Sequence, residues 1–128
     1  MFEGFNLRMV ELPEATLRVR HGGSGPPVLL LHGHPRTHAT WHRVAPLLAT
    51  AHTVVCPDLR GFGQSSKPAD TSNHAGSSKR AKAKDCVALM RKLGFDRFAL
   101  VGHDRGSDTA FRTAMDHPAA VTHLGILD

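Results

Sequence analysis

"LVGHDRGSDTA", residues 100–110, joins two patterns with no linker between them. Upstream lies a short apolar run, Phe98-Ala99-Leu100-Val101, of strand length and composition. Downstream, from Arg105, the spacing predicts a helix that Pro118 stops. Its expected inner side carries Ser107, Ala110, Phe111 and Ala114. At the junction stands Gly102-His103-Asp104-Arg105-Gly106, an aspartate flanked by glycines two residues away on each side. Those glycines suit a tight turn and a close helix–strand approach, because neither carries a Cβ. The spacing therefore predicts a strand that turns directly into a helix, with Asp104 at the apex.

The remaining elements repeat this alternation. "FNLRMVEL" and "TLRVRHGG" read as two strands joined at Pro13-Glu14. "PPVLLLHG" is a continuous apolar run, the mark of a strand buried on both faces. "THATWHRVAPLLA" has Trp41, Val44, Ala45 and Leu48 at helical spacing, with Pro46 inside the run. "HTVVCPD" is a second buried strand. It leads into a Gly-, Ser- and Pro-rich loop that begins at Leu59. "KRAKAKDCVALMRKLG" is a helix with Cys86, Leu89, Met90 and Leu93 on one stripe and Gly94 at its end. "RFALVGH" and "VTHLGILD" supply two more strands around the Asp104 turn. The order predicts an α/β fold, a mostly parallel sheet with helices on its faces. Function in such sheets lies at the carboxyl ends of the strands. His32-Gly33-His34-Pro35, Asp58-Leu59-Arg60-Gly61-Phe62-Gly63 and the Asp104 turn all fall there.

Composition narrows the classes. The 128 residues suit one small domain, with ordinary proportions of hydrophobic (41%) and charged (21%) residues. No apolar run approaches the roughly 20 residues that span a bilayer, and the N-terminus lacks a signal-peptide pattern. The net charge of +5 has one dense source, Lys79, Arg80, Lys82 and Lys84, which reads as a solvated helix face and not as a nucleic-acid stripe. Cys56 and Cys86 form neither a disulfide framework nor a zinc motif, and the histidines lack ligand spacing. The expectation is a cytoplasmic protein with no metal, no cofactor, no membrane contact and no nucleic-acid partner.

Taken together, H-G-x-P, D-L-R-G-F-G and G-H-D-R-G resemble the α/β-hydrolase fold, with Asp104 on its nucleophile elbow. "HGHPRTHATWHRVAPLLA", "PDLRGFGQSSKP" and "AMDHPAAVTHLGILD" look like the haloacetate (fluoroacetate) dehalogenase branch, over nearly all of residues 15–128. The resemblance implies that residues 1–128 are the N-terminal part of one core domain. It places the cap, the late strands and the catalytic histidine beyond them. It implies Asp104 as nucleophile and Asp128 as triad acid. It also implies an oxyanion hole made by the backbone N–H groups of His34 and Arg105.

The chemistry fits an aspartate. A carboxylate is ionised at neutral pH and needs no activating base. It can displace a leaving group from saturated carbon and form an ester that water cleaves; a serine would leave an ether. Asp104 as a helix N-cap is the alternative. Arg105 offers a guanidinium that matches a carboxylate in two-pronged fashion, and in the haloacetate branch that arginine grips the substrate carboxylate. The sequence departs from that branch at Asp108, four residues past Asp104, where relatives often carry a second arginine. An acid there either repels a haloacid or pairs with Arg105; it also favours the helix dipole. Epoxide opening by Asp104 is the second enzymatic reading, and an inactive or partner-requiring half-domain is the third. His32 and Asp58 are expected to be structural, His103 to point away from Asp104, and Trp41 to be packing. The edge strand "VTHLGIL" is expected to promote self-association.

Overall fold

The computed structural model describes residues 4–32, 41, 44–59 and 79–127. Six strands form one sheet in the order β1-β2-β4-β3-β5-β6. β1 (Asn6–Glu11) and β2 (Thr16–Gly23) make the expected hairpin, and β2 runs antiparallel to β4 (Thr53–Pro57). From β4 onward the sheet is parallel through β3 (Pro27–Leu31), β5 (Phe98–His103) and β6 (Val121–Leu127). The carboxyl ends of β3 and β5 therefore lie side by side, with Leu31 opposite Gly102.

Two apolar layers sandwich the sheet. On one face Val28, Leu30, Val54 and Cys56 pack with Trp41 and with Ala45 of α1 (Ala45–Leu48). On the other, Leu29, Leu31, Val55, Phe98 and Leu100 meet α2 (Lys79–Lys92) and α3 (Arg105–Asp116). Alternation along β3, β4 and β5 sends successive side chains to opposite layers, as period-2 geometry requires. Because β3 and β5 are covered on both faces, nearly every β3 side chain is apolar and buried.

Two helices differ from the sequence expectation. Only Ala45–Leu48 of the expected first helix is helical within the described residues. Pro46 sits in its opening turn, where the missing N–H costs nothing. In α3 the buried face is Gly106, Thr109, Ala110 and Thr113, not the expected Ser107–Ala110–Phe111–Ala114 side. Phe111 points outward and is 55% exposed. The reason is the close approach of α3 to the sheet, which admits small side chains and turns large ones away. α2 keeps its expected stripe, with Cys86, Leu89 and Met90 fully buried and Leu93 packed at the margin. Gly94 follows at φ +99, a left-handed conformation that suits glycine at a helix end.

Leu100 lies at the centre of the larger layer and is fully buried. Leu100→Ala is expected to lower unfolding free energy by about 2–5 kcal/mol. Met9→Ala on the exposed side of β1 should change it by less than about 0.5 kcal/mol. Urea denaturation of both variants measures the contrast.

Candidate active site

β5 delivers the site. Its last residue, His103, is followed by Asp104 and at once by α3. Asp104 has φ 55 and ψ −120, and is the one non-glycine residue with positive φ among those described. Such a conformation costs an L-residue on the order of 1–3 kcal/mol and persists where the surroundings enforce it. The enforcement is visible. A Cβ on Gly102 would run into the Gly106 carbonyl and the Ser107 Cα, and a Cβ on Gly106 would strike the carbonyl oxygens of Leu31 and His32. The two glycines thus let the first turn of α3 press against the ends of β3 and β5.

Backbone bonds hold the apex from both sides. The Asp104 N–H donates to the Leu127 carbonyl at 3.1 Å. Its own carbonyl accepts from the Ser107 N–H at 2.9 Å and from the Ser107 hydroxyl. The Asp104 side chain makes no capping bond to the helix and is exposed. The N-cap alternative therefore fails in its specific form: the residue occupies the cap position while its carboxylate is left for other contacts.

Around this apex the expected residues divide. Arg105 opens α3 and is exposed; among the described residues it forms no ion pair. Asp108, in the first turn of α3, pairs with Lys79 of α2 at 3.7 Å and not with Arg105. Arg80 of α2 reaches Asp116 of α3 at 3.6 Å. His34 and Asp128 lie outside the described residues, as do Gly33, Pro35 and positions 60–63. Nothing in the sequence near Asp108 signalled Lys79, because the partner comes from a different helix.

His32, His103 and Trp41 each have defined surroundings. His32 is buried, and its Nε2 accepts the Leu59 backbone N–H at 2.9 Å. That bond places the proton of the neutral ring on Nδ1 and ties the residue after β3 to the residues after β4. Asp58, also buried, donates its N–H to the Arg18 carbonyl at 2.8 Å. These contacts tie Leu59 to the end of β3 and Asp58 to β2, while positions 60–63, which Asp58 was expected to anchor, lie outside the described residues. His103 turns into the α1 layer, where its ring meets Trp41 edge-on at 6.5 Å between centroids. Trp41 is buried against Val28, Leu30 and Val54.

The two cysteines are both buried. Burial pushes the thiols of Cys56 and Cys86 well above their ordinary range, so both stay protonated. Among the described residues no three His, Cys, Asp or Glu side chains gather to hold a metal, and no helix is long and apolar enough to cross a membrane. A cleft of about 220 Å³ between the β1–β2 turn, α2 and His117 contains none of the elbow residues.

A strand–turn–helix with a strained, exposed acid at its apex and close glycines on both sides is the local geometry of a nucleophile elbow. Comparison with known families agrees: the model described as the alpha/beta hydrolase fold matches residues 26–127. The chain belongs to the alpha/beta-hydrolase family. Its curated relatives include a fluoroacetate dehalogenase from Burkholderia sp, 56% identical over all 128 residues, which are 42% of that protein. A soluble epoxide hydrolase from Corynebacterium sp. (strain C12) is 44% identical over 106 residues, 83% of this chain and 35% of the relative. A solved structure from Nostoc sp PCC 7120 superposes with a TM-score of 0.99 at 50% identity, covering all of this chain and 44% of its own. The chain thus spans less than half the length of these alpha/beta-hydrolase relatives.

The elbow's strain is measurable. Asp104→Gly should exceed Asp104→Ala in stability by about 1–2 kcal/mol, since only glycine relaxes at positive φ. Gly106→Ala should be destabilising, because its Cβ meets two backbone carbonyls that cannot move independently. His32→Leu should cost about 1–3 kcal/mol by leaving the buried Leu59 N–H without an acceptor. Thermal denaturation of the four variants ranks them.

Proposed function

We propose that the protein is a hydrolase that uses the Asp104 carboxylate to displace halide from a small haloacid. The observation that carries this reading is an aspartate, not a serine, at the exposed apex of the elbow. One Asp104 oxygen attacks the carbon that bears the halogen. The carbon–halogen bond breaks, and halide leaves with the bonding pair. Water then gives up a proton and attacks the ester carbonyl, the bond from that carbon to the alkyl oxygen breaks, the hydroxy acid leaves, and the Asp104 carboxylate is regenerated. The backbone N–H groups of His34 and Arg105 hold the oxyanion of that step. Asp128 orients a histidine supplied from beyond residue 128, in line with the greater length of the relatives. Residues 1–128 act in this reading as the N-terminal part of one core domain.

Arg105 directs the choice of substrate. Arg105 follows the nucleophile directly and is exposed, and its guanidinium matches a substrate carboxylate in two-pronged fashion. Asp108 is the feature that opposes a haloacid, and its pairing with Lys79 offsets that charge. The identity with a fluoroacetate dehalogenase favours the haloacid. The identity with a soluble epoxide hydrolase supports epoxide opening by the same carboxylate as the second reading.

The two readings separate on the 128-residue chain. With bromoacetate, mass spectrometry should find one carboxymethyl group on the Asp104 peptide, absent from Asp104→Asn, and no continuing bromide release. Arg105→Leu should slow this alkylation roughly tenfold or more, the effect of losing a charge-assisted contact. Reaction with the neutral styrene oxide should be unchanged. Steady bromide release would remove the need for a later histidine. If Arg105→Leu leaves bromoacetate unaffected while styrene oxide labels Asp104 efficiently, the epoxide reading replaces the haloacid one.

A further inference from the structure

Arg8 and Lys92 border one pocket at the β1 side of the sheet. Arg8 of β1 lies opposite Val19 of β2, and His21 of β2 lies opposite Val55 of β4. Val19 and Val55 belong to the layer that meets α2 and α3, so period-2 alternation puts Arg8, His21 and Thr53 on that same face. The end of α2 closes the space with Lys92, Leu93 and Phe95, leaving a cavity of about 250 Å³. Thr53 opens β4, which runs parallel to β3 and β5, so the cavity sits at the amino ends of these strands and Asp104 at the other end. Three strands separate β2 from β6, so the cavity is also far from the edge where the described residues stop.

The pocket is electropositive. Lys92 Nζ donates to the Glu11 carbonyl at 3.0 Å, a neutral acceptor that leaves the ammonium charge unmatched and two of its hydrogens unused. Among the described residues neither Arg8 nor Lys92 forms an ion pair, and no Asp or Glu lines the cavity. His21 Nε2 is shielded from solvent and has no hydrogen-bond partner. A polar atom in that condition is uncommon in a folded protein, and a bound group would satisfy it. Burial and then the Arg8 charge push the His21 pKa below its ordinary value, the sign expected where an anion is missing from a positive field. The carbonyl end of α2 opposes an anion, but it is capped: the Gly94 N–H donates to the Arg91 carbonyl at 3.0 Å and the Phe95 N–H to the Met90 carbonyl at 2.7 Å.

We propose that this pocket binds a small organic phosphate monoester, with its phosphoryl head between Arg8, Lys92 and His21 and its apolar part against Leu93 and Phe95. Two unmatched cations suit a head group that carries about −1.5 to −2 charge at neutral pH better than they suit a single carboxylate. The Arg8 guanidinium takes two phosphoryl oxygens in its fork, and Lys92 acts as a point charge. His21, in the tautomer with its proton on Nε2, donates a further hydrogen bond to the head. The cavity holds more than the head alone, and Val55, Leu93 and Phe95 make the rest of its wall apolar. The site stands apart from the Asp104 chemistry and does not rest on it.

Calorimetric titration of the 128-residue chain with phenyl phosphate tests the proposal. Saturable binding is expected, tighter than that of inorganic phosphate. Arg8→Gln and Lys92→Gln should each weaken it about tenfold or more, the effect of losing one charge-assisted contact. Arg8 is exposed on an edge strand, so its variant keeps the test open if the Lys92 variant folds poorly. Arg91→Gln removes the same charge one residue earlier, beside the neighbouring cleft, and should change little. Arg105→Leu should also change little. In NMR spectra the ring signals of His21 should move on titration while those of His117, in the other cleft, stay in place. No saturable binding at millimolar phenyl phosphate overturns the proposal, and so does equal affinity for inorganic phosphate. Equal losses in Arg91→Gln and Arg8→Gln overturn it by marking general attraction to a chain of net charge +5. Loss in Arg105→Leu overturns it by moving the ligand to the Asp104 apex.

Discussion

The structure depends on how near α3 comes to the ends of β3 and β5. Gly106 lies against the carbonyls of Leu31 and His32, and Gly102 lies against the backbone of Gly106 and Ser107. Only hydrogen atoms fit in those gaps. The rest follows mechanically. The chain must reverse within the single residue between strand and helix, so Asp104 is forced to φ 55. The helix face that meets the sheet must be small, which selects Gly106, Thr109, Ala110 and Thr113. The strain is of order 1–3 kcal/mol, small beside the burial of β5, whose Phe98 and Leu100 alone contribute about 1.5–3 kcal/mol each. A costly backbone conformation therefore survives because the core on either side outweighs it.

Charge around the apex is arranged by the two helices. Asp108 sits where the α3 dipole favours an anion, and Lys79 from α2 lies 3.7 Å away. Both side chains are more than half exposed, so the pair adds little to stability. Its consequence is local: the acid four residues past Asp104 is matched by a cation from α2, while Arg105 has no such partner among the described residues.

Much of this was legible in the residues themselves. The β5–Asp104–α3 junction appears as an apolar run, two glycines around an acid, and a helical pattern ended by proline. The packing of Trp41 and the hydrogen-bonding place of His32 were also expected. The inner face of α3 was misread. Hydrophobic spacing put Phe111 inside, whereas the close backbone approach admits threonine and alanine and leaves the phenylalanine out. Apolar periodicity assumes ordinary helix–sheet separation, and here that assumption fails. Trp41 likewise joins the core, and of the helix that its spacing suggested Ala45–Leu48 is α-helical among the described residues.

By itself the sequence determined the order of strands and helices, the apex residue and its arginine neighbour, because each is set by a local pattern of apolar, glycine and proline positions. Tertiary structure alone decided the partner of Asp108, the hydrogen bond that the Leu59 N–H donates to His32, and which small residues of α3 meet the sheet. Those depend on which elements pack together across the sheet. Residues far apart in the chain meet there, and no short-range pattern encodes their encounter.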